Sequence, residues 1–79
     1  MWDDRFEEVL RRFLPYLAES QEVRGSIRLR DVGLDSIAMV ELLSVLEKEY
    51  DVRLDDEALR PETFETPATL WSALAAARA

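Results

Sequence analysis

Seventy-nine residues with 10 basic and 17 acidic side chains, no cysteine and no histidine are expected to make one acidic domain, 1–79, of formal net charge −7, near the smallest size at which an unstapled apolar core suffices. This composition excludes disulfides, thiolate or imidazole metal sites and a nucleophile activated by His or Cys. The chain lacks the run of about 18 apolar residues that a bilayer needs and starts with acidic residues where a signal peptide would be basic, so the expectation is a cytoplasmic protein without membrane insertion.

Residues 1–30 carry six acids and six bases, whereas residues 31–79 carry eleven acids and four bases. The whole negative excess therefore lies from Asp31 onward. Such a field repels nucleic acid and steers basic protein surfaces toward that part of the chain.

Trp2, Phe6, Val9, Leu10, Phe13 and Leu17 recur on one helical face. They predict a first helix over about Asp4–Ala18, with Asp4 and Glu7 arranged as a capping box. Pro15 lacks an N–H and disfavours helical geometry at Leu14, so a kink or an early end is expected there. From Glu19 to Leu34 the period is lost, which predicts a long surface connection anchored by Val23, Ile27, Leu29 and Val32 and holding a short helical turn.

Gly33 then marks a tight turn, Asp35 is a preferred N-cap residue, and apolar residues recur at helical spacing from Ile37. Ser36 is thus placed in the first turn of a second helix, Ser36–Tyr50. The first N–H groups of a helix lack intrahelical partners, and its N-terminal end carries roughly half a unit of positive charge, so a phosphate ester on Ser36 is favoured. With nothing in the chain to activate the serine, Ser36 reads as a group acted on by another enzyme.

At about 100° per residue from Ser36, the residues Met39, Leu42, Leu43, Leu46 and Tyr50 form the core face of this helix. Ile37 and Val40 project on the side of Ser36, away from the core. Rimmed by Asp35, Glu41, Ser44 and Glu47, they make a small patch with an apolar centre and a polar edge, as a partner-docking surface requires. Asp55–Leu59 predicts a short helix that stops before Pro61, and Glu62–Glu65 a further turn with Phe64 inward. Thr66-Pro67 starts a last helix whose inward stripe is Leu70, Trp71, Leu74 and Ala77. The expected core comprises Phe6, Leu10, Phe13, Leu42, Leu46, Leu70, Trp71 and Leu74.

Asp31-x-Gly33-Leu34-Asp35-Ser36-Ile37, followed by Val40-Glu41-Leu42, resembles the attachment site of acyl and peptidyl (aminoacyl) carrier proteins of the discrete type. The resemblance implies an all-α four-helix bundle, with three longer helices and a short one before the last. It implies 4′-phosphopantetheine, donated by coenzyme A through a phosphopantetheinyl transferase, esterified to Ser36 with Asp35 flanking it. The terminal thiol then holds an acyl or aminoacyl group as a thioester. The implied protein is a non-catalytic monomer, loaded by an adenylating ligase or acyltransferase and passed to synthase or tailoring enzymes. Phe64-Glu65-Thr66-Pro67 is similar to an element of D-alanyl carriers, while Ala38 and Met39 depart from fatty-acid carriers, which leaves polyketide, nonribosomal-peptide and D-alanyl-like roles open. The alternative is a helical interaction module with Ser36 structural or phosphorylated. An enzyme would need a tuned carboxylate pair, and Asp31 and Asp35 lack the register of a calcium loop, so neither catalysis nor a metal is expected.

Overall fold

The computed structural model describes residues 2–54 and 60–78. Three α-helices, α1 (Asp4–Arg11), α2 (Ser36–Tyr50) and α3 (Pro67–Arg78), alternate with short 3₁₀ turns at Leu29–Val32 and Pro61–Phe64, and no strand occurs among the described residues. The short helix expected over Asp55–Leu59 lies outside the described residues.

The first helix ends at Arg11, seven residues before the expected Ala18. Approaching Pro15, the backbone tightens, with the N–H groups of Arg12, Phe13 and Leu14 donating to the carbonyls of Val9, Leu10 and Arg11. Pro15 has no N–H with which to continue the ladder. The cap also differs from the expectation: Asp3, not Asp4, is the N-cap, its carboxylate accepting the Phe6 N–H at 2.8 Å. The same oxygen accepts the Tyr50 hydroxyl from the far end of α2. That bond holds the Asp3 carboxyl below its ordinary range, while burial, and then Asp3 itself, push the Tyr50 phenol up to about 12.

Phe6, Leu10, Leu42, Leu46, Leu70 and Leu74 are fully buried and join all three helices. Burying one such side chain contributes about 1.5–3 kcal/mol. Two expected core residues are only half-buried. Phe13 lies past the end of α1 and leaves its inward face, and Trp71 covers one end of the core, edge-on to Phe6 with ring centroids 5.0 Å apart and facing Tyr50. Leu14 and Leu34 are buried beyond the expected set.

The long α1–α2 connection is held in place by its apolar residues and its backbone. Val23, Leu29 and Val32 are buried and Ile27 half-buried. The Leu29 N–H donates to the Glu65 carbonyl at 3.0 Å, and the Ala68 N–H to the Gly25 carbonyl at 3.2 Å. The connection is thus fastened to the entry of α3, where the Thr66 hydroxyl accepts the Thr69 N–H as a cap. Phe64 is buried from the second 3₁₀ turn, just before that entry, whereas at the other end of the bundle Asp51 closes α2 in the left-handed region at φ 51°.

Candidate functional site: the turn into the second helix

The approach to α2 is set by a contact distant in sequence. Gly33 sits at φ +107°, and a Cβ there would lie 2.6 and 2.7 Å from the ring carbons of Pro15 and 3.3 Å from the Tyr16 ring. Only glycine meets both the backbone angle and the close approach. The Tyr16 N–H donates to the Val32 carbonyl at 3.1 Å, so the segment that ends α1 is pressed onto the turn that begins α2. Leu34 then inserts into the core at 4% exposure and fixes the turn from below.

Beyond Leu34 the chain is extended at Asp35 and becomes helical at Ser36. The Asp35 carboxylate accepts the Ala38 N–H at 2.8 Å, and its carbonyl accepts the Met39 N–H at 2.9 Å. Asp35 is therefore spent on capping, with its charge turned toward the helix terminus. Ser36, the first residue of α2, is exposed. A primary hydroxyl is thus presented to solvent at the positive end of a 15-residue helix. These residues fit a phosphodiester-linked prosthetic group: the hydroxyl is accessible, and the adjacent dipole favours the added anion.

Ile37 is 73% and Val40 66% exposed, Val40 standing clear of the long connection. Glu41 and Ser44 are exposed beside them. Glu47 is placed differently: it is half-buried, and its Oε2 accepts the Leu54 N–H at 2.9 Å. The ring of Tyr16, 77% exposed against the Gly33 turn, is a further apolar group near the serine that sequence reading did not single out. Its partner Pro15 is legible in the sequence as a helix breaker but not as the wall of this turn. Among the described residues no three His, Cys, Asp or Glu side chains cluster as metal ligands, and no helix is long and apolar enough to cross a membrane.

A small helical bundle that holds one exposed serine at the capped start of its central helix defines a carrier-type protein. A family model described as "Phosphopantetheine attachment site" matches residues 4–74. The chain belongs to that family, and its cofactor is covalently held 4′-phosphopantetheine. It is 38% identical over 63 residues to Aminoacyl carrier protein 2 of Bradyrhizobium diazoefficiens, covering 80% of this chain and 71% of the relative. To Aminoacyl carrier protein 1 of the same organism it is 31% identical over 67 residues, covering 85% and 74%. Among solved structures, the fold is similar to a chain in the complex of a Bradyrhizobium japonicum glycine:[carrier protein] ligase with glycylated carrier protein. That likeness has a TM-score of 0.69 and 30% identity over 90% of this chain and 99% of that one. The all-α bundle is accordingly of the acyl-carrier type, and the protein is a phosphopantetheine-bearing carrier.

Proposed function

We propose that Ser36 is the attachment residue and that this single-domain, monomeric, cytoplasmic carrier holds an amino acid for partner enzymes without catalysing a reaction itself. The observation that carries the reading is the exposed Ser36 hydroxyl at the N-terminus of α2, behind a turn closed by Gly33 on Pro15. In the attachment step Ser36 Oγ forms a bond to phosphorus as the pyrophosphate linkage of coenzyme A breaks. The nucleotide half leaves with the bridging oxygen, and the serine proton passes to a base of the transferase, since this chain contains no histidine. Once bound, the group supplies a terminal thiol on which a carboxylic acid rides as a thioester. This chain's own part is to present the serine, to favour the phosphodiester at the helix terminus and to offer Ile37, Val40 and Glu41 to partners. Two relatives named aminoacyl carrier proteins and the glycylated carrier of the similar complex support an amino acid as cargo and an amino-acid ligase as the loading partner.

Incubating the apo chain with coenzyme A and a broad-specificity phosphopantetheinyl transferase tests the assignment by intact mass. One added arm is expected on the wild type and none on Ser36→Ala. An unmodified wild type, or a modified Ser36→Ala, refutes it.

A further inference from the structure

Among the described residues three large apolar side chains are exposed, Tyr16 at 77%, Ile37 at 73% and Val40 at 66%, and all three lie around Ser36. Ile37 and Val40 follow the serine along α2. Tyr16 comes from the other direction, on the segment that closes against the Gly33 turn, where a Cβ on Gly33 would meet its ring at 3.3 Å. Gly33 is three residues from Ser36, a span of at most about 11 Å. Ring and serine therefore share one small region of the surface.

The ring is placed there by the backbone and not by its own burial. Leu14 is buried and Leu17 half-buried, so the flanking side chains turn inward and Tyr16 is left outside. Its N–H donates to the Val32 carbonyl at 3.1 Å, and the Leu17 N–H to the Leu14 carbonyl at 3.1 Å. Just beyond, the Arg11 guanidinium donates to the carbonyls of Ala18 and Gln21, and the Ala18 N–H donates to the Gln21 side chain at 2.8 Å. An aromatic side chain with two torsions on a braced backbone loses little further freedom when it is touched. Tyrosine also offers two kinds of surface, an apolar ring and a hydroxyl that donates and accepts, where Ile37 and Val40 offer only hydrocarbon.

We propose that Tyr16 is the resting platform for the prosthetic arm carried by Ser36. Past its phosphodiester the arm holds a carbon with two methyl groups, then two amides, then the thiol. The methyl groups suit the ring, and the amides suit the phenol. From Oγ to sulfur the arm has about as many chain atoms as five residues, which at roughly 3.3–3.6 Å each reach about 17 Å, past the span from Ser36 to Gly33. Tethering selects this occupant: a group joined to Ser36 meets the ring at millimolar effective concentration, so a contact too weak to hold a free ligand is populated. Because Tyr16 lies before the serine and Ile37 and Val40 after it, an arm on the ring leaves the exposed side chains of α2 clear for a partner. The proposal rests on Ser36 being the attachment residue.

The test compares apo protein by NMR with holo protein made from coenzyme A and verified by mass. The chain has two tyrosines, and Tyr50 ends α2, about 21 Å along the helix from Ser36, so its ring is an internal reference. The platform requires the Tyr16 ring signals to move when the arm is added while those of Tyr50 stay. It also requires NOEs from the Tyr16 ring to the two methyl groups of the arm, whose signals lie upfield of those in free pantetheine. Tyr16→Ala returns the methyl signals to the free position and Tyr16→Phe keeps the upfield shift, while the apo melts of both variants match wild type, as at other exposed sites. Methyl signals at the free position in wild-type holo protein, or an upfield shift that survives Tyr16→Ala, overturn the proposal. Free-position methyl signals together with slower loading of Tyr16→Ala by the ligase would assign the ring to a protein partner and overturn it equally. A wild type that accepts no arm at Ser36 is a separate result, and it refutes the attachment assignment itself.

Discussion

Replacing Gly33 by alanine tests how the attachment turn is built, because two separate costs act on one methyl group. The φ of +107° is in the left-handed half of backbone space, where an L-residue is disfavoured by about 1–2 kcal/mol. The new Cβ would also stand 2.6 and 2.7 Å from the Pro15 ring carbons, well inside van der Waals contact, and an overpacked methyl of this kind costs typically about 1–3 kcal/mol. Together they predict a loss of about 2–5 kcal/mol in chemical denaturation, read from the midpoint at unchanged m-value. The two parts separate in a double-mutant cycle with Pro15→Ala, which removes both ring carbons that the Cβ meets. In that background Gly33→Ala should cost only the conformational part, about 1–2 kcal/mol, so the coupling equals the steric part. A loss below about 0.5 kcal/mol in the wild-type background, the range of an ordinary surface substitution, or a coupling of zero, would show that Pro15 does not wall the turn.

Leu46→Ala, at a fully buried site between the helices, should destabilise the fold by about 2–5 kcal/mol in denaturant titrations. Ile37→Ala and Val40→Ala, both at exposed positions, should change stability by no more than about 0.5 kcal/mol yet impair loading by the partner enzyme, and loading defects that merely track lost stability would return these residues to the core. The Tyr50 phenol has a folded-state pKa raised from 10.0 to about 12, by burial first and by its bond to Asp3 second, so the neutral, hydrogen-bonded phenol contributes stability that is fully present below pH 10 and lost as pH rises through 12. Asp3, whose pKa is lowered from 3.8, contributes stability present above that value and lost as pH falls below it. Thermal melts against pH should therefore show the advantage of wild type over Tyr50→Phe at neutral pH fading at both extremes, and a constant difference would exclude the pair as its source.

The second helix was legible residue by residue, from Ser36 to Tyr50, because its signals are local: a capping aspartate, an uninterrupted apolar period and no breaker within it. For the same reason the exposure of Ile37 and Val40 followed from angle alone, and the match of Gly33 to Ile37 with carrier attachment sites led to the family. Long-range partners decided the rest. The helix period ran on past Pro15 in Leu17, but the ladder stopped at Arg11, and nothing local shows that Pro15 would close against Gly33. The choice of Asp3 over Asp4 as the cap is tied to the Tyr50 hydroxyl, 47 residues away. Glu47 looks in sequence like any solvent-facing acid, and only the return of Leu54 turns it onto a backbone N–H. Period and capping act within a few residues and can be read from the chain, whereas which groups meet across loops depends on how the bundle closes.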